Sequence, residues 1–259
     1  MIQHKTTVIK IDDNRKLWFV SDTHFFHHKL CKGYPDHFEN HRLYETVEEM
    51  NSDIVETWNK TVAPEDQVIM LGDWFMNVPH AQLGNYLKDF MEKLNGEFVA
   101  ICLGNHDYSL EKKSPDTVFY KRIVFDYRSR HFVAQHYDFK EIPYDDADLA
   151  KEKNVLVHGH THSTFVTSCL ENGMRQNNVC WEARYDLVEA TQLCATDEDY
   201  LNIELPESDL AKITKKAKAA GMTPDEYIKD VLEDFVLRAT EEDWQKVTEN
   251  LTKGTVTNG

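Results

Sequence analysis

The sequence FVAICLGNHD, residues 98–107, joins six apolar residues to a polar turn that begins at a glycine. An apolar run of this length, bounded by turn residues, predicts a buried β-strand and the loop that follows it. The same arrangement recurs along the chain, where LWFV precedes SDTH, QVIML precedes GD, HFVAQ precedes a histidine and NVLV precedes HGHTH, at residues 17–24, 67–73, 131–136 and 154–162. We therefore expect at least five strands that end in polar loops.

Two segments between these runs have the periodicity of amphipathic helices. In residues 47–58 and 83–94 the apolar side chains recur at intervals of three and four, which places them on one helical face. They are Val47, Met50, Ile54, Val55 and Trp58 in the first segment, and Leu83, Leu87, Phe90, Met91 and Leu94 in the second. Strands that alternate with helices predict a layered α/β fold.

Composition and charge limit the classes of protein to which the chain can belong. The 259 residues carry a net charge of −16, which is unfavourable for binding nucleic acid or anionic membranes, because phosphate binding depends on clustered lysine and arginine. No apolar run reaches the length of a membrane-spanning helix and residues 1–10 do not resemble a secretory signal, so we expect a cytoplasmic protein. The five cysteines are scattered without a CxxC pair, which predicts neither a disulfide framework nor a structural zinc site.

The sequence changes in character towards its C-terminus, and we expect two parts, residues 1–195 and residues 196–259. Apolar and polar residues alternate over residues 200–205, as in a short strand, and two capped helical segments follow. This order resembles the ribbon-helix-helix fold over residues 199–238 and implies a homodimer, because that fold pairs strands between two chains. The acidic residues 197–199 disfavour DNA binding by such a module. The alternative is a plain helical appendage packed on the first part.

Histidine, aspartate and asparagine side chains follow the predicted strands. Because ligands of α/β folds bind at the carboxyl ends of strands, we expect these side chains to share one site. Carboxylate and amide oxygens with imidazole nitrogens, and without thiolates, suit manganese, iron, zinc or nickel. Each motif alone is also consistent with an ordinary surface turn. Together they predict a site for transition-metal ions.

The motifs occur in a recognisable order. They are Asp22-Thr23-His24, Gly72-Asp73, Gly104-Asn105-His106-Asp107, His136 and Gly159-His160-Thr161-His162. In order and in strand placement they resemble the motifs of the calcineurin-like metallophosphoesterases, and the first motif resembles the small bacterial and phage branch of that superfamily. The resemblance covers about residues 15–195. It implies a four-layer α/β/β/α sandwich, with residues 196–259 as a small, mainly helical extension.

The resemblance also implies roles for individual residues. One divalent cation would be held by Asp22, His24 and His162, a second by Asn105, His136 and His160, and Asp73 would bridge both. Manganese is the first choice of metal, with iron, zinc and nickel as alternatives. His106 would be catalytic, at the phosphoryl group or the leaving oxygen, and catalytic Asp107 would orient its ring. Asn105 and His106 would contact the substrate, as would His27 if its loop reaches the rim of the site rather than solvent.

These roles imply an enzyme, a metal-dependent phosphoric ester hydrolase. A hydroxide that bridges the two metals would attack phosphorus in line. The acidic surface favours a small soluble phosphomonoester or phosphodiester, such as a nucleotide or cyclic nucleotide, over a polynucleotide. Two alternatives stay open: a nuclease of the same fold, and a dimeric regulatory or binding protein that acts through residues 196–259.

Overall fold

The computed structural model describes most of the first part of the chain, in the segments 6–38, 41–143, 154–170 and 174–193, together with Ala195 and Lys216. The chain divides into two units, residues 1–200 and 201–259, and the fold given below is that of the first unit. The strand-helix-helix module expected at residues 196–259 lies outside the described residues. That module and the homodimer it implies stay predictions.

The described part of the first unit contains the five predicted strands and both predicted helices. Its strands are β1 (Thr6–Val8), β2 (Leu17–Val20), β3 (Gln67–Met70), β4 (Glu97–Cys102), β5 (Phe119–Tyr120), β6 (Arg122–Tyr127), β7 (Arg130–Gln135), β8 (Val155–His158), β9 (Thr167–Cys169), β10 (Arg175–Asn178) and β11 (Val188–Glu189). Its helices are α1 (Val47–Thr61), α2 (Leu83–Lys93), α3 (Tyr108–Lys113) and α4 (Trp181–Arg184), with short 3₁₀ helices at His28–Leu30, His80–Gln82 and Ala190–Gln192. Among the helices of the described segments, none has the length and apolarity needed to cross a membrane.

The strands form two sheets, and in each sheet the loops that follow neighbouring parallel strands lie at the same edge. The first sheet has the order β11-β2-β3-β4-β5; the strands from β2 to β5 run parallel to one another, and β11 runs antiparallel to β2. The second sheet has the order β1-β6-β7-β8-β10-β9, in which β8 runs parallel to β7 and to β10. Because parallel strands end at the same edge of a sheet, the loops after β2, β3 and β4 are neighbours, and so are the loops after β7 and β8.

The two sheets pack face to face through an apolar layer. Phe19 and Ile69 contribute from the first sheet, while Phe125 and Phe132 contribute from the second and stack with ring centroids 5.1 Å apart. Helices α1 and α2 cover the other face of the first sheet, where Trp58 is fully buried. Helices and two parallel-rich sheets in successive layers confirm the predicted α/β sandwich.

The outer face of the second sheet carries a smaller apolar cluster. Val124, Val133 and Leu156 are buried there together with Phe139. In the described segments, loop residues such as Leu170 cover this face rather than a helix. The two sheets are therefore the layers that position the functional site.

Helix α1 shows how the local sequence produces this packing. The Thr46 side chain accepts a hydrogen bond from the backbone N–H of Glu49 at 3.1 Å and so caps the first turn. Met50, Ile54 and Trp58 are buried along one face, at the spacing that predicted the helix. The apolar face fixes α1 against the first sheet and leaves its polar face in solvent.

Candidate metal centre

The loops that follow β2, β3 and β8 hold their site residues in an unusual backbone conformation. Residues other than glycine rarely adopt a positive φ angle, and those that do so cluster at functional sites. The angle is 57° at Asp22, 45° at His24, 58° at Asp73, 69° at His160 and 49° at His162. These five residues are all among the predicted metal ligands.

Two glycines allow these loops to approach one another. A Cβ atom at Gly104 would collide with the carboxylate of Asp73. A Cβ atom at Gly159 would collide with the side chains of Ser21 and Asp22. Only glycine therefore leaves room for the two carboxylates at these positions.

The first group of candidate ligands consists of Asp22, His24 and His162. Their ligand atoms lie within 4.8 Å of one another. The Nε2 atoms of His24 and His162 lie 3.1 Å apart, and His162 Nε2 lies 3.5 Å from Asp22 Oδ1. Asp22 Oδ2 accepts a hydrogen bond from the backbone N–H of His160 at 2.8 Å. Asp22 Oδ1 is buried and has no hydrogen-bond partner in the described part of the chain, so it is the oxygen available to a cation.

Asn105, His136 and His160 form the second group. Asn105 Oδ1 lies 3.0 Å from His136 Nε2 and 2.9 Å from His160 Nδ1, and these two ring nitrogens are 3.2 Å apart. His136 is buried, and its Nδ1 donates a hydrogen bond to the carbonyl oxygen of Leu71 at 2.8 Å. The proton is therefore on Nδ1, and the lone pair of Nε2 faces the group.

Asp73 lies between the two groups. Its Oδ2 is 3.6 Å from Nε2 of His24 and 3.6 Å from Nε2 of His136, one nitrogen from each group. The ligand atoms of Asp22 also lie within 4.8 Å of those of Asp73 and His136. The free oxygen of Asp22 is beside His162, however, so Asp73 is the better placed of the two carboxylates to bridge the groups.

The spacing and charge of these atoms fit a pair of cations. Two atoms that bind one transition metal at about 2.1 Å lie roughly 3.0–3.4 Å apart, close to the shortest nitrogen and oxygen separations in both groups. Burial, together with the charges of Asp22 and Asp107, raises the pKa of Asp73 well above its ordinary value, so a cation beside this carboxylate would stabilise its ionised form. The oxygen and nitrogen donors admit several metals and do not select one.

Residues 16–178 match the family model of the calcineurin-like phosphoesterase superfamily domain. The chain belongs to this superfamily. Membership of this superfamily implies a metal-dependent phosphoester hydrolase. The aspartate and histidine side chains that converge in this chain are consistent with metal binding.

Two sequence relatives and one solved structure are similar to this calcineurin-like chain. Uncharacterised protein MJ1445 of Methanocaldococcus jannaschii is 32% identical over 149 residues, which cover 58% of this chain and 70% of the relative. The gene 66 protein of Mycobacterium phage D29 is 27% identical over 193 residues, which cover 66% of this chain and 90% of the relative. The solved structure of AQ665, a protein of unknown function from Aquifex aeolicus, has 21% identity and a TM-score of 0.47, covering 69% of this chain and 97% of its own.

In this calcineurin-like site, His106 is exposed and lies beside the two candidate ligands Asp73 and His24. Its backbone N–H donates a hydrogen bond to Asp73 Oδ1 at 2.9 Å, and its ring meets the His24 ring edge-on with centroids 5.4 Å apart. Burial by its neighbours lowers the pKa of His106 below the ordinary value although the charge of Asp22 opposes this, so the ring is neutral at pH 7. A neutral imidazole donates a hydrogen bond from one ring nitrogen and accepts a proton at the other, and the imidazolium so formed can release that proton again.

Asp107 contacts the backbone of two loops rather than the ring of His106. Its Oδ2 accepts hydrogen bonds from the N–H groups of Asp73 at 2.6 Å and Gly104 at 3.0 Å, and its Oδ1 accepts one from Trp74 at 3.2 Å. Within the described segments no hydrogen bond joins this carboxylate to the His106 ring. The prediction that Asp107 orients the His106 ring is therefore wrong for this structure. Backbone donors from two strand-end turns converge on the buried carboxylate, which ties those turns together.

His27 lies beside the metal centre, against the ring of His24. The two ring centroids are 5.6 Å apart, and the ring of Phe38 meets the His27 ring edge-on with centroids 5.5 Å apart. Burial and the charge of Arg42 lower the pKa of His27 to about 4. Its contact with a substrate stays a prediction.

Two buried charged residues behind His162 are not apparent from the sequence. Glu182 Oε1 lies 3.0 Å from His162 Nδ1 and 2.7 Å from Arg42 Nε. Burial alone would raise the pKa of Glu182, but the Arg42 charge and the His162 hydrogen bond outweigh it and lower the pKa to about 2. No local motif marks Arg42 or Glu182, since they are 140 positions apart.

Proposed function

We propose that the chain is a dinuclear metal-dependent hydrolase of small, soluble phosphoesters. The observation that carries this proposal is the position of Asp73 Oδ2, 3.6 Å from a ring nitrogen of His24 and 3.6 Å from one of His136. A carboxylate oxygen between two groups of ligand atoms is what a pair of cations requires. The first group would hold one cation, the second group would hold the other, and Asp73 would be shared.

The protein's own side chains would complete the catalytic machinery. When bound, two divalent cations supply an activated water and offset the charge on the phosphoryl oxygens. In its imidazolium form, the ring of His106 would donate a proton to the leaving oxygen as the ester bond breaks and would itself become neutral. Asp107 holds the backbone of Asp73 and Gly104 in place, and Asn105 lies exposed where the phosphoryl group enters.

Charge and surface shape favour a small substrate. A net charge of −16 repels the repeated phosphates of a polynucleotide. A cavity of ≈ 350 Å³ is lined by Thr161, which stands between His160 and His162 in the sequence, and by residues that include Asp138, Ser163 and Phe165; among the described residues, none of the candidate ligands lines it. Small-molecule sites have volumes of this order.

A panel of phosphoesters tests the proposal. Protein loaded with Mn²⁺ would be assayed with p-nitrophenyl phosphate, bis-p-nitrophenyl phosphate, cyclic nucleotides and single-stranded DNA. We expect hydrolysis of at least one small ester and its loss on chelation, because the cations supply the activated water. Dominant degradation of DNA would favour the nuclease alternative. No hydrolysis of any ester, together with a DNA gel shift that requires residues 196–259, would favour the regulatory alternative.

A further inference from the structure

Arg42 is a fully buried cation behind the first group. Its guanidinium donates hydrogen bonds from Nε to Glu182 Oε1 at 2.7 Å, from Nη1 to the carbonyl oxygen of Thr23 at 2.8 Å, and from Nη2 to the carbonyl oxygen of Asp22. A charge in the protein interior persists only where its partners compensate for lost hydration. Here the compensating partners are the backbone of the first metal-binding loop and one buried carboxylate.

The two carbonyl contacts act on the strained part of that loop. Asp22 has a φ angle of 57° and His24 has one of 45°, and such residues keep this conformation only when their surroundings hold it. Arg42 binds the carbonyl groups of Asp22 and Thr23, which immediately precede His24. It therefore fixes the direction in which the two ligand side chains leave the backbone.

Glu182 acts on the remaining member of the first group. Its Oε1 accepts a hydrogen bond from His162 Nδ1 at 3.0 Å, which leaves the lone pair of His162 Nε2 directed at His24 Nε2, 3.1 Å away. A carboxylate behind a histidine ligand fixes the tautomer and the orientation of the ring. The same oxygen of Glu182 therefore accepts hydrogen bonds from both His162 and Arg42.

We infer that Arg42 and Glu182 are positioning residues that make the first group a preorganised cation site. Arg42 holds the turn that carries Asp22 and His24, and Glu182 holds the ring of His162. A single buried ion pair thus sets the geometry of all three ligands. The inference rests on the proposed function, since it assigns these three side chains to one cation.

Calorimetric titration of metal-free protein with Mn²⁺ tests this inference. Glu182→Gln keeps the size of the side chain but removes its charge, and we expect binding to weaken about 10–100-fold at one of the two sites only. Arg42→Lys should have the same one-site effect, because an ammonium group lacks the planar fork that reaches three partners. Arg130→Lys is the matched control: Arg130 binds the carbonyl groups of Ala190 and Leu193, and its loss should leave both affinities unchanged.

Unchanged binding at both sites in Glu182→Gln, or an equal loss at both, overturns the inference while the proposed function stands. Failure of the wild-type chain to bind two cations contradicts the proposed function and the inference with it. If a variant does not fold, nitrogen NMR of the histidine rings in the Zn²⁺-loaded wild-type chain decides the question. We expect the proton of His162 on Nδ1, whereas a proton on Nε2 would overturn the inference.

Discussion

The two groups of the candidate metal centre contain similar atoms but are supported differently. Behind the first group lies the buried ion pair of Arg42 and Glu182, which binds a ligand ring and two loop carbonyl groups. Behind the second group, the described segments place the carbonyl oxygen of Leu71 at His136 and the exposed carboxylate of Glu141 near His160. One group is therefore held by buried charge and the other by a neutral dipole and a solvated side chain.

This difference predicts unequal affinity for metal ions. Ligands that are fixed in advance lose less conformational entropy when an ion binds, and a carboxylate behind a histidine makes the ring a stronger base. Asn105 lies exposed at the edge of the second group. We therefore expect the first group to retain its cation when the second has released its own.

The largest effect should come from Asp73→Asn, because Asp73 belongs to both groups. An amide carries no charge to share between two cations, and losing their joint stabilisation of several kcal/mol lowers kcat/KM on the order of 10⁴-fold. Steady-state kinetics in saturating Mn²⁺ measures this, with circular dichroism as the check on folding. Near wild-type activity in a folded Asp73→Asn protein would remove Asp73 from the centre.

His106→Gln should have the next largest effect, because His106 belongs to neither group. Loss of a general acid lowers kcat about 10²–10³-fold while the metal content stays unchanged. Kinetics paired with elemental analysis separate these two properties. Loss of one metal along with activity would instead make His106 a ligand, and unchanged kcat would exclude it from proton transfer.

The comparison between the groups predicts binding in two phases. Titration of metal-free protein with Mn²⁺ should show one tight and one weaker site, separated by about tenfold or more. His160→Ala should abolish the weaker phase, and His162→Ala the tighter one. Equal affinities in the wild-type chain, or the opposite assignment of the two variants, would contradict the difference in support.

The smallest effect concerns stability. One cation at about 100 times its Kd stabilises the folded chain by about 2.7 kcal/mol, so each occupied site should raise the Tm by roughly 5–10 °C for a unit of this size. Thermal unfolding in Mn²⁺ and in a chelator measures the shift. Asp73→Asn should lose most of it, while Arg130→Lys should keep it.

The convergence of the candidate ligands could be predicted because its signal is local. Each ligand follows an apolar run closely, and parallel strands bring the ends of such runs to one edge. Strand β6 was not anticipated, since it begins with Arg122 and contains Asp126, which interrupt its apolar pattern. The helices α1 and α2 could be predicted from the spacing of their apolar residues alone.

The support of the site could not be predicted in the same way. Arg42 and Glu182 are 140 positions apart, and only folding brings them together in the interior. Asp107 adjoins His106 in sequence, yet a carboxylate can accept equally from a ring or from backbone amides. Which donors surround it depends on how the loops after β3 and β4 pack, and this is a tertiary property.

The most direct test of the central claim, that two cations share Asp73, is anomalous diffraction from crystals of the wild-type chain grown with Mn²⁺. The account predicts two anomalous peaks roughly 3.5–4 Å apart, one beside each group, with Asp73 Oδ2 between them. A single peak, or two peaks of which neither lies within bonding distance of Asp73, would contradict it.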